Sequence, residues 1–319
     1  MGLMKRIAAL GVAAALLAGG EMAALAQPGG MSQDDAAKIE AMGTELTMDV
    51  IRGTMAIYGP KQAQMPTDGV TVKPDLAYGD HPRNVLDLYV PEAADDAPPP
   101  ILIFMHGGGF VQGDKSDGTN IGYYFARHGV VTASLSYRLA PEFRFPSGSE
   151  DLAAAIAWLR EHPEEHGGDI NRIFLMGHSA GAAHVVNYAV FEDLQLEADG
   201  VAGMILVSGP TYDSANLNPF VDLAYYGMDE SAWPAMSAID ALEGRKIPAL
   251  LAYAEYDMES IHAQNRAMID ALTDRDGRLP PVYTALGHNH ISITAAINTG
   301  DEGLSGTILE FIALNPAGQ

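Results

Sequence analysis

The sequence predicts an α/β chain built on one mainly parallel, eight-stranded sheet that helices cover on both faces, with a small cap. Three observations carry that reading. Short apolar runs alternate with longer stretches of helical periodicity, the pattern of a strand followed by its crossover helix. Two of the runs, Ile101-Leu102-Ile103-Phe104-Met105 and Ile173-Phe174-Leu175-Met176, are apolar without alternation, as strands buried on both faces are. A length of 319 residues is enough for one large core.

The chain opens with a basic hexapeptide containing Lys5 and Arg6. An apolar run over residues 7–17 follows, then Ala24-Leu25-Ala26, small residues at the spacing a signal peptidase reads. Residues 1–26 are therefore expected to be a signal peptide and Gln27 the first mature residue, which predicts an exported bacterial protein, periplasmic or secreted. The apolar run is short and glycines interrupt it before Glu21, which disfavours a retained anchor. Residues 27–69 read as an N-terminal arm with one or two short helices lying across the main domain, possible parts of a cap.

From Val70 to the end the chain reads as one catalytic domain. Strands are expected around Val72, over 84–90, 101–105, 130–136, 173–176, 202–207, 248–253 and 281–286. Helices are expected over 149–161, after Ser179, over 261–272 and over 308–313; the first places Leu152, Ile156 and Leu159 on one face. An insertion around 210–246, rich in aromatics and methionine, reads as the cap.

Composition narrows the chemistry. There is no cysteine, hence no disulfide, no thiolate nucleophile and no cysteine metal site. The formal charge of −23, from 18 basic and 41 acidic residues, repels nucleic acid and anionic lipid, so neither a nucleic-acid partner nor stable membrane insertion after leader removal is expected. The chain is expected to be a monomer or homodimer acting on a small molecule.

The sharpest motif is Gly177-His178-Ser179-Ala180-Gly181, placed between a strand and an Ala-rich helix. G-x-S-x-G in that context is a nucleophile elbow, a turn too tight for side chains at its flanks, which pushes one serine hydroxyl into the open. His106-Gly107-Gly108-Gly109-Phe110 directly follows another buried strand. Its glycines expose N–H donors, and Gly108 and Gly109, with the N–H of Ala180, are the expected oxyanion hole. His106 is expected to fix this loop by hydrogen bonding. Downstream, Asp257 lies just beyond a strand, with Glu255 and Glu259 as rivals, and is the expected acid. Gly287-His288-Asn289-His290 offers two imidazoles, of which His290 is preferred as the base. Ser179, Asp257 and His290 then follow the chain order nucleophile, acid, base.

Together with Tyr137-Arg138-Leu139-Ala140-Pro141-Glu142, Phe145-Pro146 and Asp151, these motifs make residues 70–315 resemble the α/β-hydrolase superfamily, more narrowly the bacterial hormone-sensitive-lipase-like and feruloyl-esterase-like carboxylesterases. The resemblance implies Ser179, Asp257 and His290 as nucleophile, acid and base, oxyanion donors from Gly108, Gly109 and Ala180, and neither metal nor organic cofactor. Many hormone-sensitive-lipase relatives carry Asp where this chain has His178, a form also similar to esterase and formamidase branches. Arg138 and Glu142 are expected to clamp neighbouring loops by an ion pair. Tyr225, Tyr226, Trp233, Tyr212 and Phe220 can wall an apolar pocket or simply pack the cap. The expected activity is hydrolysis of short- to medium-chain carboxylic esters through an acyl-enzyme. An arylformamidase-like amidase or a feruloyl or acetyl esterase is the alternative, and a non-catalytic binding protein on the same scaffold the more distant one.

Overall fold

The computed structural model describes residues 30–92, 97–217 and 222–316. The expected leader, residues 1–26, and Phe220 fall outside them. Helices α1 (Gln33–Met42) and α2 (Met48–Gln62) come first. Ser32 and Thr47 cap them, each side chain accepting the N–H of the third residue onward. One or two short helices were expected of the arm; it holds two, of 10 and 15 residues.

The sheet comprises β1 (Val70–Ala77), β2 (Val85–Pro91), β3 (Ile101–Met105), β4 (Val131–Leu135), β5 (Ile173–His178), β6 (Val201–Val207), β7 (Ala249–Tyr256) and β8 (Val282–Asn289), in the spatial order β1-β2-β4-β3-β5-β6-β7-β8. The two pairings made by β2 are antiparallel and all the others parallel. Between strands lie α3 (Thr119–Arg127), α4 (Ser147–Glu161), the single turn α5 (Pro163–His166), α6 (Ala180–Val190), the single turn α7 (Leu223–Tyr226) and α8 (Glu259–Asp276); α9 (Ser292–Ala295) and α10 (Gly303–Leu314) end the described chain.

The apolar runs divide their side chains between the two faces with the strand period of two. Ile101, Ile103 and Met105 join Leu175 and Leu206 under α4, α6 and α8, represented by Leu159, Val185 and Met268. Leu102 and Phe104 join Phe174, Met176 and Ile205 under α3 and α10, represented by Phe125 and Ile308. This double burial is why those strands show no polar alternation. At the pairing of β3 with β5, Met105 lies opposite Gly177, which brings the ends of these strands together at one edge of the sheet. The functional residues collect along that edge, where parallel strands release their loops.

The arm docks at the β8 edge of the sheet, α1 against β8 and α2 against α9. Asp35 of α1 pairs with Lys61 of α2 at 2.6 Å, Tyr58 packs on Ala295 and Ala296, and Gln62 Nε2 donates to the Ala295 carbonyl at 2.9 Å.

Among its described residues the insertion, a small cap, holds α7 and short 3-10 turns. Tyr225 and Tyr226 are buried with Phe110, Ala180 and Ala183, and Phe110 stacks on Tyr225 at 4.7 Å between ring centres. Below them His184 of α6 is fully buried among Phe110, Tyr137 and Tyr225, and neither ring nitrogen has a hydrogen-bond partner. Burial, with a small contribution from His106, pushes its imidazole down to about 3. An unfolded histidine takes its proton near pH 6.5, so below that pH the unfolded state binds more protons than the folded one. The stability this neutral ring contributes is present above about pH 6.5 and is lost progressively as pH falls. Replacing His184 with Phe is expected to flatten the loss of stability between pH 7 and pH 5 by about 1–2 kcal/mol, at one unit of pKa per 1.36 kcal/mol; urea unfolding at the two pH values reads the difference.

Candidate active site

Ser179 follows the last residue of β5 and precedes the first of α6, with φ 53° and ψ −125°, in a region that L residues rarely adopt. The turn is held from three sides. The Ser179 N–H donates to the Val207 carbonyl at 2.9 Å. A Cβ at Gly177 would overlap the Gly181 carbonyl, and one at Gly181 would overlap the carbonyl of Met105 at the end of β3. Glycine at both flanks lets α6 start directly against the strand ends, and the chain between has no room except in the strained turn.

Two further strand ends complete the group. The His290 Nε2 lies 2.9 Å from Ser179 Oγ, and its Nδ1 lies 2.7 Å from Asp257 Oδ1. Asp257 sits just past β7 and is 1% exposed; His290 just past β8 is 4% exposed and Ser179 7%, so all three are buried. Asp257 Oδ2 accepts from Ser208 Oγ at 2.6 Å and from the Ala254 N–H at 2.7 Å. Burial alone raises the carboxyl's pKa, but His290, Ser208 and the Ala254 N–H outweigh it and hold the group below the usual carboxylate value. An ionised Asp257 fixes Nδ1 of His290 as the protonated nitrogen and leaves Nε2 free to take the proton of Ser179. Glu255 is engaged elsewhere, accepting from the Gly287 N–H at 2.7 Å, and Glu259 pairs with Arg266.

The glycine loop runs against the elbow: a Cβ on Gly107 would lie 2.9 Å from Ser179 Cβ. Among the described residues the N–H groups of Gly108 and Gly109 donate to no protein acceptor, and that of Ala180, first in α6, has no carbonyl within reach along its helix. Three donors are thus unspent beside one hydroxyl. His106 holds the loop as expected, its Nδ1 lying 2.6 Å from the Gly107 carbonyl while Tyr137 stacks on its ring and donates to its carbonyl. Burial pushes its imidazole down to about 4, so it stays neutral near pH 7.

His288 stands outside the group. Its Nδ1 meets Ser292 Oγ and its Nε2 meets Asp301, both at 3.1 Å. It shapes the loop that carries His290. The intervening Asn289 adds more: its Oδ1 accepts from the Ile291 and Ser292 N–H groups, and its Nδ2 donates to Thr54 of α2 at 2.8 Å.

The expected pairing of Arg138 with Glu142 is corrected. Arg138 binds Asp151 through Nε at 2.7 Å and through its backbone N–H at 2.7 Å, and Glu150 through Nη2 at 2.9 Å. Asp151 is buried at the start of α4 and can fix both hydrogens, whereas Glu142 is exposed and gains little from pairing in water. The pair ties the loop after β4 to α4.

Two clefts lie elsewhere, one of about 350 Å³ beside Lys61, Gln64 and Asn298 and one of about 280 Å³ beside Asn171, Arg245 and Lys246. Among the described residues no cluster of three or more His, Asp or Glu could hold a metal ion, and no helix is long and apolar enough to cross a membrane.

Among solved structures, a bacterial heroin esterase superposes with a TM-score of 0.69 over 89% of this chain and 98% of its own, at 21% identity. A hyperthermophilic esterase from the archaeon Pyrobaculum calidifontis gives 0.67 over 89% and 99%, also at 21%. The chain has the α/β-hydrolase fold. Within it, residues 86–203 match the family model BD-FAE. A probable isoprenylcysteine alpha-carbonyl methylesterase of Arabidopsis thaliana is 38% identical over 129 residues, 40% of this chain and 30% of the relative. Esterase LipI of Mycobacterium tuberculosis is 42% identical over 93 residues, 28% and 29% of the two chains. The matched stretches thus span about 30% of the length of these curated relatives.

Sequence reasoning did not find Ser208, Asn289 or Thr54. Ser208 carried one available signal, its place in Ser208-Gly209-Pro210 directly after an apolar strand. Asp257's contribution to stability is present above its ordinary pKa near 4 and is lost as pH falls through the lower folded value. Ser208→Ala is expected to raise that folded value, seen in a carboxyl-carbon NMR titration, and to cost about 1–3 kcal/mol at pH 7, the usual loss for a hydrogen bond to a charged group.

Proposed function

We propose that this α/β-hydrolase is a serine carboxylesterase that cleaves short- to medium-chain carboxylic esters through an acyl-enzyme. One observation carries the reading: Ser179 Oγ, His290 and Asp257 are linked at 2.9 and 2.7 Å beside unspent N–H donors. Ser179 Oγ attacks the ester carbonyl as His290 Nε2 takes its proton, and the negative oxygen that forms meets the N–H groups of Gly108, Gly109 and Ala180. The tetrahedral intermediate collapses, and His290 gives the proton to the leaving alkoxide. Water, deprotonated by the same nitrogen, then attacks the acyl-serine and releases the acid. Asp257 stays ionised throughout and stabilises the imidazolium. No step calls on a metal or an organic cofactor.

The burial of Ser179 and the packing of Phe110, Tyr225 and Tyr226 around the neighbouring Ala180 support small acyl groups over long chains. The matched relatives are named as esterases, which supports an ester over an amide.

The test is initial rates on p-nitrophenyl esters from acetate to palmitate, with aryl formamides and a hydroxycinnamate ester alongside. Rates are expected to be highest on the short esters, and Ser179→Ala to lower them by about 10⁴-fold or more with unchanged circular dichroism. Faster cleavage of formamides would make the protein an amidase. Normal turnover by Ser179→Ala would remove the mechanism.

A further inference from the structure

We propose that His178, the residue before the nucleophile, is a positioning residue that holds the backbone of His290 in place for proton transfer. The inference rests on the assignment of Ser179 and His290 given above. His178 ends β5, and its Nε2 lies 2.8 Å from the His290 carbonyl oxygen. A carbonyl oxygen carries lone pairs but no hydrogen, so His178 is the donor and its Nε2 carries the proton. Among the described residues nothing else donates to this carbonyl.

The consequence follows from how His290 is held. Asp257 fixes the ring only at Nδ1, and a ring held at one atom still swings with its backbone. The Asn289 side chain secures the following turn, and His178 secures the peptide of His290 itself. The same imidazole lies against the oxyanion loop, since a Cβ on Gly107 would be 3.1 Å from His178 Nδ1. One buried ring therefore spaces the base, the nucleophile and the glycine loop, which reach the site on different strands. Errors of about 1 Å in such an arrangement cost about 10²-fold in rate.

The chemistry of the position is selective. A carbonyl needs a donor opposite it, and an ionised carboxylate offers only acceptors. The ring must also stay neutral, because a protonated His178 would set a second cation 4.8 Å from the imidazolium that forms on His290. Burial, reinforced by His290, pushes it down to about 3.

The experiment compares His178→Met, which fills the site without a donor, with His178→Gln, whose amide reaches about as far as Nε2. Each is measured for kcat and KM on the best wild-type ester and for the rate of inactivation by a fluorophosphonate. In that reaction Ser179 Oγ bonds to phosphorus, fluoride leaves and His290 takes the proton. His178→Met is expected to lower kcat and the inactivation rate together by about 10- to 100-fold, with KM within about twofold, and His178→Gln to recover most of both. Wild-type rates in His178→Met, or equal losses in the two variants with both folded by near-ultraviolet circular dichroism, would overturn the proposal. If His178→Met does not fold, His178→Asn replaces it: its shorter amide cannot reach the carbonyl, so activity equal to that of His178→Gln would be decisive against the role. A wild type that turns over no ester but is labelled at Ser179 removes the esterase reading and leaves the labelling comparison in force. A wild type that is neither active nor labelled overturns both.

Discussion

The approach of α6 to the ends of β3 and β5 is the constraint on which the rest of the site depends. It exists because Gly177 and Gly181 present backbone to backbone, with Gly181 against the Met105 carbonyl. That contact leaves Ser179 no ordinary conformation, and the strain at φ 53° persists because the strand on one side and the helix on the other over-determine it. The same contact brings the glycine loop, which begins one residue after Met105, beside the serine. Ser179 and the unspent N–H groups of the loop thus share a single origin in the sequence: small residues at the points where two parallel strands end side by side.

Around that point the protein spreads ionisation unevenly. One carboxylate, Asp257, is kept charged in a buried position by three donors, while His106, His178 and His184 are kept neutral by burial. A charged group is tolerated in such surroundings only where its hydrogen bonds are complete. The neutral rings act as spacers and polar fillers that do not compete with His290 for the proton. The site is therefore electrostatically quiet except along the line from Asp257 to Ser179, although the whole chain carries a formal charge of −23.

The strands were readable because burial on both faces leaves a compositional mark: Ile101 to Met105 and Ile173 to Met176 admit no polar residue, and both lie at the centre of the observed sheet. The three members of the site were readable for a related reason. Each stands just past a strand, and the ends of parallel strands are close in space wherever the strands lie in sequence. Helix α3 was not among the expected helices although it does carry an apolar stripe, Ile121, Tyr124 and Phe125 being buried at helical spacing. It spans only nine residues, Thr119–Arg127, and Gly122, fitted against the Tyr89 ring, is a poor helix former inside it, so the segment is easily passed over. The partner of Arg138 was missed because sequence proximity favoured Glu142, while the fold brings the first turn of α4 closer. Ser208, which holds Asp257, and Thr54 and Asn289, which hold the turn carrying His290, are polar residues whose value lies in hydrogen bonds that only three-dimensional contact reveals.

The link between Thr54 and Asn289 has a consequence in time. These residues stand 235 positions apart, one in the second helix of the arm and the other beside His290. A ribosome releases the chain from its N-terminal end, so α2 waits for its partner until nearly all of the sheet has been made. The glycine elbow and its loop are finished much earlier. Ser179, Asp257 and His290 can therefore come together only once β8, the last strand in the chain, has been made.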